Sequence, residues 1–138
     1  MLMRPLELDD SSWPVIVMHV PRGAHSDEAI QAILTRYKQL VLEHREPFVM
    51  INDLREASGV TQKQRAEMSS FLENELEVAS YCRGAAMVFN SAMLRGMLTA
   101  ILWVSRPPYP TRAFKTVDEA RTWANSQIEL ARPMLKQA

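Results

Sequence analysis

Residues 47 to 54 read PFVMINDL, an apolar run that closes on the polar pair Asn52 and Asp53. A strand can be apolar at successive positions only where both faces of its sheet are covered, as in a parallel sheet flanked by helices. This one run therefore demands covering elements on two sides. Flanking sequence supplies more of the same kind. WPVIVMHV, residues 13 to 20, is a β-branched run upstream, and GAAMVFN, residues 84 to 90, is a short apolar run downstream.

Between these runs the apolar period changes from strand-like to helical. From Asp27 to His44, the residues Ile30, Ile33, Leu34, Tyr37, Leu40, Val41 and His44 fall on one side of a helix, with Ser26 placed to cap it. A second helix is expected from about Thr61 to about Ser80, opened by a capping box of Thr61 and Gln64. Ser91 caps a third. The run TRAFKT reads as a last short strand, and Thr116 with Glu119 opens a final helix that Pro133 ends or kinks. At the start, MRPLEL reads as a first strand and DDSS as the turn after it. The order is β-β-α-β-α-β-α-β-α, which predicts one α/β domain over residues 1–138, with a mixed, mostly parallel sheet of about five strands and four helices. Ligands of such sheets meet the loops beyond the carboxyl ends of the strands, here NDLREASGVT and NSAM.

Composition removes several function classes. Sixteen Lys and Arg balance sixteen Asp and Glu, so no global field draws the chain to nucleic acid. One cysteine, Cys82, supports neither an internal disulfide nor a Cys-rich zinc site and fits a reducing, cytoplasmic setting. The opening MLMRPLELDDSSW has no apolar run of signal-peptide length, and no stretch is apolar for the eighteen residues a membrane span needs.

VMINDL followed by a loop and helix, and RAFKTVDEARTWA as a strand feeding a terminal helix, resemble the SpoIIAA-like branch of the STAS fold over nearly the whole chain. The resemblance is carried by Asp53-Leu54 at the end of a central strand and by Phe114, Asp118, Glu119, Ala120 and Trp123. It implies a small bacterial cytoplasmic domain that binds rather than catalyses. In classical antagonists of this kind a serine in an Asp-Ser-Ser-Gly loop is phosphorylated to switch partner binding; other SpoIIAA-like proteins look like carriers or sensors of apolar ligands. Here the corresponding string is Glu56-Ala57-Ser58-Gly59, with Ala57 where that serine would stand. Ser58 or Thr61 could still take a phosphate near the helix N-terminus, although a turn and an N-cap explain both.

Candidate chemistry is sparse. His19 sits in a strand, His44 on a core stripe and Cys82 after a helix, so packing accounts for each. His25 is on a loop. No metal-ligand spacing, P-loop or dinucleotide fingerprint occurs, so no cofactor or metal is expected. Glu75 falls among Phe71, Leu72, Leu76 and Ala79 on the second helix, where a carboxylate needs a partner or a polar pocket.

SAMLRGMLTAILWVSRPPYP, residues 91 to 110, reads as a third helix running into a stiff proline-rich turn, RPPYP, that carries Tyr109, and the helix has more apolar surface than one face holds. Leu94, Leu98, Ile101 and Leu102 form one stripe at about 100° per residue; Met93, Met97, Ala100 and Val104 form another, beside Gly96 and Trp103. The surplus is either covered by neighbouring helices or given to a partner, a second copy or a ligand. The expected function is a non-enzymatic, regulatory binding domain acting through a protein partner or itself. Met93, Met97, Trp103 and Tyr109 would supply the apolar surface, and Asp53, Arg55, Ser58 and Thr61 the loop. The alternative is a carrier or sensor of a small apolar ligand or lipid, lined by Met97, Trp103 and Glu75. More remote is a small hydrolase or isomerase that uses His25 and Asp53.

Overall fold

The computed structural model describes residues 5–104 and 107–136, and of residues 103–104 and 133–136 the backbone alone. Five strands form one sheet in sequential order: β1 (Glu7–Ser12), β2 (Val15–His19), β3 (Phe48–Asp53), β4 (Cys82–Val88) and β5 (Thr111–Phe114). The β1–β2 pair is an antiparallel hairpin, and every later pair is parallel. Helices α1 (Asp27–His44), α2 (Gln62–Asn74) with α3 (Leu76–Tyr81), and α4 (Ala92–Val104) fill the three crossovers, and α5 (Val117–Lys136) follows β5.

A sheet that grows in one direction through right-handed crossovers puts all its crossover helices on one face. The core divides accordingly. Ile16, Met18, Phe48 and Met50 pack with Ile33, Tyr37, Leu40 and Val41 of α1 and Val78 of α3. Val15, Val17, Val49, Ile51, Ala86 and Val88 point the other way, onto Ala120, Ala124 and Ile128 of α5. Alternate residues of β3 thus feed two cores, and all six are buried, which is the two-sided cover that PFVMINDL requires. The alanines let α5 lie close enough to touch several strands. Gly84 serves the same approach, since a Cβ there would come within 2.8 Å of the Trp123 ring.

Helix α1 has the predicted limits. Ser26 Oγ accepts from the Ala29 N–H, and all six predicted aliphatic and tyrosine positions are buried, while His44 is exposed and stacks on Trp13. The chain leaves α1 through Arg45, in the left-handed region at φ 50°, whose N–H bonds the Val41 carbonyl.

Three expectations change. The first strand is displaced: DDSS belongs to β1, bulged between Asp9 and Ser12, because an edge strand pairs through its backbone and needs no apolar side chains. The second helix is two helices, so five are present rather than four. Its chain breaks at Glu75 (φ −83°, ψ 75°), which closes α2 and opens α3. Finally, α5 runs through Pro133 to Lys136 instead of ending there.

Candidate functional site

Two surfaces concentrate unusual residues. The first lies beyond the carboxyl ends of β2 and β3. His19 and Asp53 are the last residues of their strands and are register partners across the parallel ladder. His19 Nδ1 lies 2.9 Å from Asp53 Oδ2. Arg55, two residues on, folds back so that Nε donates to Oδ1 and Nη2 to Oδ2, both at 2.8 Å, and its backbone N–H also reaches Oδ1 at 3.4 Å. Asp53 is buried, with 8 % of its surface exposed. The Arg55 hydrogen bonds hold its carboxyl down at about 2, against the opposing effect of burial, with help from His19. An ionised Asp53 fixes His19 so that Nδ1–H donates to it. Around this cluster is a cavity of about 550 Å³, lined also by Glu7, Pro21, Glu56 and Asn90.

The second surface is α4. Its cap is as expected, with the Leu94 N–H on Ser91 Oγ at 3.3 Å. Its packing is not. Not one described side chain of this helix is buried, and Met93, Leu94, Met97 and Ile101 are 71 %, 43 %, 54 % and 56 % exposed. Coverage of both stripes by neighbouring helices is therefore overturned. Leu98, Ile101 and Leu102 instead face an open cleft of about 320 Å³ toward Leu72 of α2, with Met50, Asn52 and Met87 of the sheet also lining it. Asn52, 7 % exposed, is the polar residue among these last, and among the described residues its amide donates only to the Met87 thioether, at 3.3 Å. Tyr109 also lines this cleft, and burial pushes its phenol up to about 12.

The remaining expected site residues are dispersed. Glu75 stands at the α2–α3 break, bonded to Lys38 of α1 at 3.0 Å, in a surface recess between α1 and α2. It does not share the cleft with Leu98, so the combined lining of Met97, Trp103 and Glu75 is not assembled; the Trp103 side chain lies outside the described residues. Thr61 is an N-cap: its hydroxyl accepts from the Gln64 N–H while Gln64 Oε1 accepts from the Thr61 N–H. Ser58 is exposed in a turn, its N–H on the Glu56 carbonyl. His25 does not meet Asp53 either; its Nε2 bonds the Pro21 carbonyl at 3.0 Å, and it lines a different recess with Leu8, Ile33 and Arg36.

His19 is the residue that reading by composition passed over. Its signal was positional: both VIVMH and FVMIND end on a titratable group, and parallel neighbours in register bring strand ends together. Among the described residues no three His, Cys, Asp or Glu are grouped to hold a metal, and no helix is long and apolar enough to cross a membrane.

No protein-family model matches the chain, and no curated protein does. Among solved structures, an uncharacterised DUF3478-family protein with a SpoIIAA-like fold from Shewanella loihica PV-4 superimposes with a TM-score of 0.65, covering 90 % of this chain and 96 % of that one. The two are 13 % identical, so the likeness speaks to architecture. With its five-stranded mixed sheet and helices on both faces, the chain has a SpoIIAA-like fold.

Proposed function

We propose that this protein is a non-enzymatic binding module and that the face of α4 joins two copies of it. The observation that carries this is the exposed row Met93, Met97 and Ile101, three residues at four-residue spacing on one side of one helix. Contiguous apolar surface of this kind marks an interaction site on a water-soluble domain. A second copy suits it because the row has no charge that would need an opposite partner. The one charged side chain in Ala92–Val104, Arg95, is tied to the Phe89 carbonyl at 2.7 Å. Gly96 faces open space, so a neighbouring backbone can approach there, and methionines adapt to whatever meets them. A two-fold axis across α4 would pair the row with itself.

Native mass spectrometry with light scattering tests this. The protein is expected to be a dimer at tens of micromolar, and Met97→Glu is expected to be a monomer with an unchanged circular dichroism spectrum. A wild-type monomer at that concentration overturns the proposal.

Asn52 favours a second function, carriage of a small apolar ligand in the cleft beneath α4. A buried amide whose side-chain partner among the described residues is a thioether would accept one hydrogen bond from an otherwise apolar molecule. Extra mass retained on the native protein, and lost in Asn52→Leu, is the expected result.

A further inference from the structure

We infer that the cavity at the carboxyl ends of β2 and β3 binds a small zwitterion of the α-amino-acid type, its carboxylate on Arg55 and its ammonium on His19. This stands apart from the role of α4 and rests on different residues. Arg55 spends Nε and one side of Nη2 on Asp53, which leaves the outer edge of the guanidinium, Nη1 with the second hydrogen of Nη2, without a protein acceptor among the described residues. That edge is a fork of two parallel donors, the geometry that matches a carboxylate. In the neutral imidazole, donation from Nδ1 to Asp53 leaves Nε2 as an acceptor, and among the described residues nothing in the protein donates to it. A ligand that engages both side chains in this state presents a donor at His19 and an anionic fork at Arg55.

Both side chains bond the same carboxylate and line one cavity, so a single small zwitterion can address both. Charge selects between the possible donors. Glu7, the register partner of His19 on β1, and Glu56 line the same cavity, while Arg55 is already neutralised by Asp53. Two surplus carboxylates favour an ammonium over a hydroxyl and oppose phosphates and dicarboxylates. The volume, about 550 Å³, admits an amino acid with a side chain.

The test is a titration of the unmodified protein followed by NMR at the imidazole of His19, with His25 and His44 as internal references. The probes are L-alanine, propionate, which lacks the ammonium, and ethylamine, which lacks the carboxylate. L-alanine is expected to shift the His19 signal saturably, and each of the other two to bind at least about tenfold more weakly, as loss of one charge-assisted contact implies. Arg55→Lys, which keeps the charge beside Asp53 but not the fork, is expected to weaken L-alanine by about tenfold. If L-alanine leaves His19 unmoved at tens of millimolar, or either single-group probe binds as well as it does, the inference fails. The three ligands decide the matter on the wild-type protein whether or not the variant folds.

Discussion

His19 and Asp53 close the ends of two adjacent parallel strands, Nδ1 to Oδ2 at 2.9 Å, with Arg55 clamping the same carboxylate from the other side. The clamp makes stability depend on acidity. Asp53 titrates at about 2 in the folded chain, below its ordinary 3.8, so the unfolded chain takes up the proton first on acidification. Its contribution is complete above pH 4 or so and is lost as the pH falls through about 2. Because Arg55 is partly exposed, the effect should be about 1–2 kcal/mol. Urea unfolding at neutral pH and at pH near 2 measures it. Asp53→Asn should lose that stability at neutral pH and flatten this part of the acid dependence.

Gln64 should matter more than its place in a capping box suggests. It is 2 % exposed and, besides its exchange with Thr61, donates through Nε2 to the His25 carbonyl at 2.7 Å and to Asp27 Oδ1 at 3.0 Å. One side chain thus ties the start of α2 to the start of α1. Gln64→Ala leaves those acceptors and the Thr61 N–H without it, and a loss of about 2–3 kcal/mol in urea unfolding is expected. Thr61→Ala removes the N-cap alone and should cost about 1 kcal/mol.

Two glycines should respond to alanine with opposite signs. At Gly59 a Cβ would stand 1.9 Å from the Gly23 carbonyl oxygen, so backbone must move, and Gly59→Ala should cost about 2 kcal/mol or more. At Gly96 a Cβ meets nothing within 4 Å, and mid-helix glycine is entropically poor. Gly96→Ala, made in Met97→Glu so that self-association does not enter, should gain about 0.5–1 kcal/mol by thermal or urea unfolding.

Cys82 should behave as an inert core thiol. It is 6 % exposed, and burial pushes its thiol up to about 12, outweighing a backbone hydrogen bond at Gly84 and the nearby Arg83 charge. Against an ordinary thiol near 9 the thiolate at pH 8 is roughly a thousandfold scarcer. A disulfide reagent should label the native protein very slowly and the urea-unfolded chain at once; rapid native labelling would show that the cleft beside Cys82 opens.

Periodicity and capping chemistry are local, and wherever they decide an element the sequence alone located it. Helix α1 is complete from Ser26 to His44 because each turn of its stripe repeats the same message and the cap lies next to its acceptor. The two-sided burial of β3 follows from its composition in the same way. Glu75 shows where local reading stops: on an unbroken helix it lies in an apolar stripe, yet the chain breaks there and Lys38, far away in sequence, takes its charge. His19 and Asp53 stand 34 residues apart, and only the parallel register makes them neighbours. The surplus on α4 was visible as composition from the outset, but its exposure was not. Whether an apolar stripe is covered depends on the direction in which the sheet grows and on how near the next crossover helix lies, and no window along one helix contains that distance.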